Sequence, residues 1–285
     1  MRDSLAAAHG VDPEAITIEA IRTTGDMVQD RPLAEAGGKG LFTKEIEEAL
    51  LADRIDLAVH SAKDVPTFLP PGLTLAAYLP REDARDVFIS AKAKTLGDLP
   101  AGATIGTASP RRQALVKNAR PDLNVVSLRG NVETRLRKLR EGEADATILA
   151  LAGLKRLELT NVIATIMTAD EFLPAVGQGA IVVETREDDD RTQGLLAAIN
   201  HDDTATALTC ERAFLAVLDG SCRAPIAGHA TVDGDVLSFR GMIMKPDGSQ
   251  SFATSRSGNR RDAAALGTDA GQELKSRGGS NFFLS

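Results

Sequence analysis

The sequence is poor in aromatic residues and in cysteine. Its 285 residues include no Trp, one Tyr and two Cys. The scarcity of Trp and Tyr argues against a surface on which bases or sugars stack. The two cysteines, Cys210 and Cys222, are not spaced as CxxC, which argues against a zinc site or a disulfide scaffold and favours a reducing compartment. A disulfide between them is the less favoured alternative.

A long apolar run is also missing. No stretch approaches the roughly 18 apolar residues that a membrane span needs. The first ten residues, MRDSLAAAHG, are typical of a short amphipathic helix and lack the apolar centre of a signal peptide. Hydrophobic and charged fractions of 43% and 26% are ordinary for a globular protein. We therefore expect a soluble, cytoplasmic chain of two or three domains that functions as a monomer.

The net charge of −7 hides a basic stretch in the middle of the chain. Between Thr107 and Arg140, nine Lys and Arg residues accompany only two acidic ones. Such a concentration of positive charge favours the binding of an anion. The same stretch contains no aromatic residue, so nucleic acid is the less favoured ligand. A small polycarboxylate fits the pattern better.

Strand-like and helical patterns alternate over the first two hundred residues, which predicts α/β units with largely parallel sheets. The last part of the chain reads as three strands separated by DG turns and followed by a helix, which predicts a small α+β domain after about residue 200. The strands predicted in the first part include 16–23, 56–61, 73–79, 86–90 and 103–107, and a helix is predicted within 41–55.

Two arginine-bearing segments are candidates for the anion site. In GTASPRRQ, Ser109 is a predicted N-cap that places Arg111 and Arg112 in the first turn of a helix. In SLRGNVETR, Arg129 ends a strand and Arg135 lies one turn into the next helix. Guanidinium groups beside free backbone N–H groups suit carboxylates or phosphates, and ligands bind beyond the carboxyl ends of strands in open α/β sheets. A solvated basic helix face is the alternative.

The segment HSAKDVP, residues 60–66, places Lys63 beside Asp64 at the end of a predicted strand. An aspartate facing a basic cleft can act as a general acid or base, or can stabilise a developing cation. The pattern alone slightly favours the alternative of a turn aspartate beside a solvated lysine. His60 is better explained as a structural residue than as a catalytic one.

The glycine-rich segment AEAGGKGLFTKE is the third candidate. Its three glycines favour mobility. The segment, with Lys39 and Phe42, is either a lid over a ligand or a plain surface loop.

The fourth candidate is DGSCRAPIAG, residues 219–228. Arg223 beside Cys222 can lower the pKa of the thiol and make it nucleophilic. No accompanying His and Asp pattern supports a hydrolase triad. A covalent attachment point is one of the functions that remain open for this thiol.

Taken together, the segments resemble one family. Over essentially the whole chain, the sequence is similar to the porphobilinogen deaminase (hydroxymethylbilane synthase) family. The similarity is carried by eight segments in the family's order: GGKGLFTKEIE, HSAKDVP, PREDARDVFIS, IGTASPRRQ, SLRGNVETRL, AGLKRL, LPAVGQGA and GSCRAPIAG.

This resemblance implies a transferase of tetrapyrrole and haem biosynthesis. Cys222 would carry a dipyrromethane cofactor through a thioether, and four porphobilinogen units would be deaminated, joined to it and released by water as hydroxymethylbilane. Asp64 would stabilise the cation that forms as ammonia leaves, while Arg81 and Arg85 would lie near an interdomain hinge. The resemblance further implies that cofactor and substrate are bound by Lys39, Phe42, Ser61, Lys63, Thr107, Ser109, Arg111, Arg112, Arg129, Arg135, Arg156, Gln178 and Gly179, with no metal.

The implied fold has two α/β domains that resemble periplasmic binding proteins and a small C-terminal α+β domain. The expected boundaries are 1–79 with 180–198 for the first domain, 84–175 for the second and 202–285 for the third. Family members begin with a strand and an RxSxLA segment that this sequence does not show before its first helix, so we expect the first sheet to lack that strand. The alternative function is that of a non-enzymatic binding protein for carboxylates, in which Cys222 stays unmodified.

Overall fold

The computed structural model of the chain describes residues 1–27, 42–218, 224–279 and 282–283. The predicted site residues Lys39 and Cys222 lie outside these ranges. The helices are α1 Arg2–His9, α2 Thr24–Met27, α3 Lys44–Leu51, α4 Pro110–Ala119, α5 Val132–Arg140, α6 Leu151–Arg156, α7 Asp190–Leu196, α8 Asp202–Val217 and α9 Ala263–Gly278. The strands are β1 Leu57–Ser61, β2 Leu73–Tyr78, β3 Asp86–Ile89, β4 Thr104–Gly106, β5 Asn124–Val126, β6 Ala146–Ala150, β7 Thr165–Ile166, β8 Ile181–Arg186, β9 Ile226–Asp233, β10 Val236–Met244 and β11 Ser251–Asn259.

The first sheet has β8 between β1 and β2, and both pairings are antiparallel. Because a strand from residues 181–186 completes a sheet begun by residues 57–78, the chain leaves this unit and returns to it. Helix α3 packs its buried Leu50 against Ala58 on one face of the sheet, and Leu196 of α7 packs against Val183 on the other. The prediction of largely parallel sheets was wrong for this sheet, since sequence alternation does not specify which strands become neighbours.

The prediction of a strand over residues 16–23 was also wrong. The whole range lies in the described part of the chain and has no strand assignment, and Ile18 is 69% exposed. An alternating pattern forms a strand only where a neighbouring strand supplies hydrogen-bond partners. The described first sheet ends at β1 on one side and at β2 on the other.

The second sheet is mixed and has the order β5-β4-β6-β3-β7. Strand β4 runs parallel to β5 and β6, whereas β3 runs antiparallel to β6 and β7. Helix α4 follows β4, and the Ser109 side chain accepts a hydrogen bond from the Arg112 backbone N–H, so the predicted N-cap is confirmed. Parallel strands end at the same sheet edge, so the starts of α4 and α5 lie side by side. This arrangement positions the candidate anion site.

The C-terminal unit is a three-stranded antiparallel meander, β9-β10-β11, which confirms the predicted strand and turn pattern. Helices α8 and α9 cover it, and Phe214 packs against Phe239 with ring centroids 4.9 Å apart. Cys210 on α8 is a free, fully buried thiol. Burial and the neighbouring Glu211 carboxylate raise its pKa to about 12. The described chain therefore has the expected fold class, two α/β units followed by a small α+β unit.

None of the described helices is long and apolar enough to cross a bilayer.

Glu211 joins the three units. Its fully buried carboxylate accepts hydrogen bonds from the Arg81 guanidinium at 2.6 and 3.2 Å. It also accepts from the backbone N–H groups of Gly177 and Ala230, both at 2.7 Å. Arg81 lies in the connection between β2 and β3, Gly177 lies just before β8, and Ala230 lies in β9. One carboxylate thus holds the connection between the first two units against the third.

We expect Glu211→Gln to lower the free energy of unfolding by roughly 1.5–3 kcal/mol, the usual contribution of hydrogen bonds to a charged group. The amide keeps the shape of the side chain but removes its charge and one of its acceptor oxygens. Urea unfolding followed by circular dichroism measures the change, with exposed Glu187→Gln as the matched control. An unchanged midpoint for Glu211→Gln would show that this carboxylate does not hold the units together.

Candidate functional site

A cavity of about 560 Å³ lies where the turn after β1 meets the starts of α4 and α5. Among the described residues, one carboxylate and five cationic side chains line it, namely Asp64, Lys63, Arg111, Arg112, Arg129 and Arg135. Val176, Leu215 and Ile226 contribute an apolar wall. The charged and apolar linings together suit an amphipathic anion.

The turn after β1 carries Lys63 and Asp64 into the cavity. Strand β1 ends at Ser61, and residues Ala62–Asp64 form one 3₁₀ turn. Gly177, with φ of +74°, packs against this turn so closely that a Cβ atom there would lie 2.9 Å from the Lys63 backbone nitrogen. Desolvation lowers the pKa of the Lys63 ammonium, and the nearby guanidinium of Arg112 acts in the same direction, whereas Asp64 opposes them.

Arg111 and Arg112 are buried and share one carboxylate. Asp86, at the start of β3 and fully buried, accepts from Arg111 at 2.6 Å and from Arg112 at 2.7 Å. Gln178 also donates to it, at 3.0 Å. Burial alone would raise the pKa of Asp86, but the two guanidinium charges and these hydrogen bonds outweigh it and hold the pKa at about 2. Asp86 therefore stays ionised and fixes both arginines at the edge of the cavity.

Arg129 and Arg135 precede and follow Gly130 in sequence, and all three line the cavity. The Asn131 side chain caps α5 by accepting from the Thr134 N–H at 2.8 Å, and Arg135 Nε donates to the Gly130 carbonyl at 2.7 Å. Desolvation and the positive charges of Arg112 and Arg129 lower the pKa of Arg135 to about 10. The predicted arginines, although separate in sequence, thus act on one another electrostatically, and an anionic ligand would relieve their repulsion.

The remaining predicted binding residues occupy different places. Phe42 and Gln178 line the cavity, and Ser109 lines it at the start of α4. Buried Thr107 accepts a hydrogen bond from the Ser109 N–H at 3.2 Å. Half-buried Ser61 ends β1, next to the turn that bears Asp64.

Arg156 and Gly179 form a contact outside the cavity lining. Exposed Arg156 donates to the Gly179 carbonyl at 2.8 Å. Gly179 has φ of +87°, and a Cβ atom there would collide with the Glu82 carbonyl. This contact lies beside the connection between β2 and β3, which contains Arg81. Arg81 donates to the Gln178 carbonyl at 2.9 Å, and Arg85 pairs with Asp83 at 2.6 Å.

The two predicted residues outside the described ranges flank this site in sequence. Ala224, two positions after Cys222, lines the cavity, as does Phe42, three positions after Lys39.

Sequence reasoning missed Asp86, the buried carboxylate that holds Arg111 and Arg112, and Glu211, the buried carboxylate that holds Arg81. A single acidic residue at the start of an otherwise apolar strand, as in DVFI, is the signal that could have identified Asp86.

The fold and the site define a class: an α/β protein of several units with a cavity that, among the described residues, is lined by five cationic side chains and one carboxylate. Residues 1–194 match the family model described as "Porphobilinogen deaminase, dipyromethane cofactor binding domain", and residues 205–276 match "Porphobilinogen deaminase, C-terminal domain". The chain belongs to the porphobilinogen deaminase family. It is therefore a transferase of tetrapyrrole biosynthesis, of a family whose cofactor is a dipyrromethane.

Two curated relatives agree with this assignment. The chain is 64% identical over 283 residues to the porphobilinogen deaminase of Nitrobacter winogradskyi, covering 99% of this chain and 90% of the relative. It is 63% identical, with the same coverage, to that of Nitrobacter hamburgensis. A solved structure of the Bordetella pertussis BvgS VFT2 domain is similar with a TM-score of 0.42 and 16% identity, covering 72% of this chain and 78% of that one.

Proposed function

We propose that this chain removes ammonia from four porphobilinogen molecules and joins them head to tail on a covalent dipyrromethane primer, and that water then releases hydroxymethylbilane. One observation carries the proposal. A single carboxylate, Asp64, faces a cavity whose other charged lining residues among those described are five cations. Because each pyrrole bears carboxylate side chains, the growing product is a polyanion, and such a cavity can hold it through charge-assisted hydrogen bonds.

Asp64 supplies the negative charge that the reaction needs. As the C–N bond of a porphobilinogen unit breaks, ammonia leaves with the bonding electron pair and positive charge develops on the pyrrole. A fixed carboxylate stabilises charge that appears only during the reaction more than it stabilises the neutral ground state. The surrounding cations oppose protonation of this carboxylate, which favours its ionised form.

The arginines bind and orient. Arg111 and Arg112 are held by Asp86, so little side-chain entropy is lost when they engage a ligand carboxylate. Arg111 Nε is a buried donor without a hydrogen-bond partner in the described part of the protein. Arg129 and Arg135 extend the positive surface along the start of α5. We propose that these residues hold successive carboxylates, with Lys63, Ser61, Thr107 and Ser109 adding hydrogen bonds.

The residues present fit a covalent dipyrromethane. The cofactor, when bound, supplies the pyrrole carbon to which the first substrate is joined. We assign its attachment to Cys222, supported by the position of Ala224, two residues later, in the cavity wall. The other thiol, Cys210, is fully buried with a raised pKa and is a poor nucleophile. We also assign Lys39, Phe42, Gln178 and Gly179 to cofactor and substrate binding, and Arg156 to a substrate carboxylate.

The proposal includes three domains, 1–79 with 180–198, 84–175 and 202–285. Support comes from the pairing of β8 with β1 and β2, because it returns the chain to the first sheet after the second unit is complete.

We further propose that the protein acts as a monomer in the cytoplasm. The free Cys210 thiol supports a reducing compartment.

Intact mass under denaturing conditions tests the attachment. We expect the wild-type chain to exceed its calculated mass by two pyrrole units, Cys222→Ser to lack the excess and to make no bilane, and the control Cys210→Ala to retain both. An unmodified wild-type chain that binds carboxylates reversibly would instead support the alternative of a non-enzymatic binding protein. Excess mass that persists in Cys222→Ser would place the attachment elsewhere.

A further inference from the structure

The turn that bears Lys63 and Asp64 is held at both ends by polar side chains, buried His60 and half-buried Arg212. At its start, His60 Nε2–H donates to Glu184 Oε2 at 3.0 Å, and both side chains are at least 96% buried. At its end, Arg212 from α8 donates to the carbonyl oxygens of Pro66 at 2.9 Å and Thr67 at 3.0 Å. Neither His60 nor Arg212 lines the cavity. They contact the segments on either side of Asp64.

Glu184 is linked to both ends of this turn, by a hydrogen bond to His60 and by its charge to Arg212. In the antiparallel register Glu184 lies opposite Ala58 and Val182 lies opposite His60, so Glu184 and His60 project from the same face of the sheet. Burial lowers the pKa of the Arg212 guanidinium, while the charge of Glu184 is one of the influences that raise it. The Glu184 charge therefore acts on Arg212 as well as on His60.

The other titratable groups of this cluster come from neighbouring elements. Glu47 of α3 is buried, and its pKa is raised first by burial and also by the negative charge of Glu184. Tyr78 of β2 has a pKa raised by burial. Glu184 Oε1 and Glu47 Oε1 are both buried without a hydrogen-bond partner in the described part of the protein. Two buried carboxylates close together favour protonation of one of them, and the raised pKa indicates Glu47.

We infer that Glu184 is a positioning residue for the reaction: its buried carboxylate holds His60 by a hydrogen bond and attracts the Arg212 guanidinium, and thereby steadies both ends of the Lys63–Asp64 turn at the cavity. The inference rests on the proposed function of Asp64. A neutral side chain of the same shape would keep the packing of β8 but lose the attraction to Arg212. The turn could then shift, and a displacement of about 1 Å at a reacting group can cost on the order of 10²-fold in rate.

The test compares Glu184→Gln, Glu184→Asp and Glu47→Gln in the holoprotein. We expect Glu184→Gln to lower kcat by about 10- to 100-fold while KM for porphobilinogen changes by less than about threefold, since the binding arginines lie on other elements. Glu184→Asp keeps the charge and should recover part of the lost kcat. Glu47→Gln, which imitates the protonated neighbour, should leave kcat and KM near the wild-type values.

Arg212→Gln and the double variant test the same network from its other end, even if Glu184→Gln folds poorly. Arg212→Gln should lower kcat, and Glu184→Gln combined with Arg212→Gln should lose less than the product of the two single losses. A kcat for Glu184→Gln within twofold of the wild type, or full additivity in the double variant, would overturn the inference. The excess mass that indicates the dipyrromethane, and bilane production by the wild type, are measured in the same experiment. A failure of the proposed function can then be distinguished from a failure of this inference.

Discussion

Replacing Asp86 by Asn is expected to lower the free energy of unfolding by roughly 3–5 kcal/mol, because it leaves two buried guanidinium groups without their shared anion. Asp86, Arg111 and Arg112 are each at least 95% buried, so water cannot take the place of the carboxylate. Urea unfolding measures the loss. Asp122→Asn is the matched control: it removes an exposed partner of Arg120 on the same unit and should leave the midpoint unchanged.

The pH dependence of stability provides a second measurement on the same residue. The folded-state pKa of Asp86 is about 2, below its ordinary value of 3.8, so its ionisation stabilises the fold above about pH 4. This contribution is lost as the pH falls from about 4 through 2. The difference in unfolding free energy between the wild type and Asp86→Asn should therefore shrink over this range. A difference that stays constant from pH 7 to pH 2 would show that the Asp86 charge does not stabilise the arginine pair.

Asp64→Asn is expected to lower the rate of bilane formation by roughly 10²–10³-fold, the usual cost of removing one group that stabilises transition-state charge. The amide retains the size of the side chain but cannot neutralise the cation that develops as ammonia leaves. The Asp64 side chain is exposed to the cavity, so its loss should leave the unfolding midpoint near that of the wild type.

Single-turnover measurement of ammonia release isolates this effect from product release. Asp56→Asn, at an exposed position just before β1, is the control and should retain wild-type rates. An Asp64→Asn protein that releases ammonia within a fewfold of the wild-type rate would remove Asp64 from the chemistry and leave the cation-lined cavity as a binding site.

Local patterns in the sequence determined many of the elements. Ser109 followed by Pro110 predicts the start of α4, and the structure has both the cap and the helix. The DG pairs predict the turns of the C-terminal meander, whose three strands are present. These features succeed because caps and tight turns depend on residues only a few positions apart. The candidate arginines could be found in the same way, because two short segments carry them.

Contacts between distant segments were decided by the tertiary structure. The prediction for residues 16–23 failed because a strand depends on a neighbour that its own alternation does not specify. Nothing in the sequence around Arg111 and Arg112 identifies Asp86, some 25 positions earlier, as the anion between them. Similarly, Glu211 reaches Arg81 and Glu184 reaches His60 across more than a hundred residues.

The sequence by itself determined the chemical groups of this protein: one reactive carboxylate candidate, one thiol beside an arginine and a concentration of arginines. Only the tertiary structure decided which buried carboxylates hold those arginines and which elements hold the turn that bears Asp64. The reason is physical. A charge in the interior is stable only beside partners that compensate its desolvation, and in this chain those partners are brought together by sheet pairing and helix packing rather than by proximity in sequence.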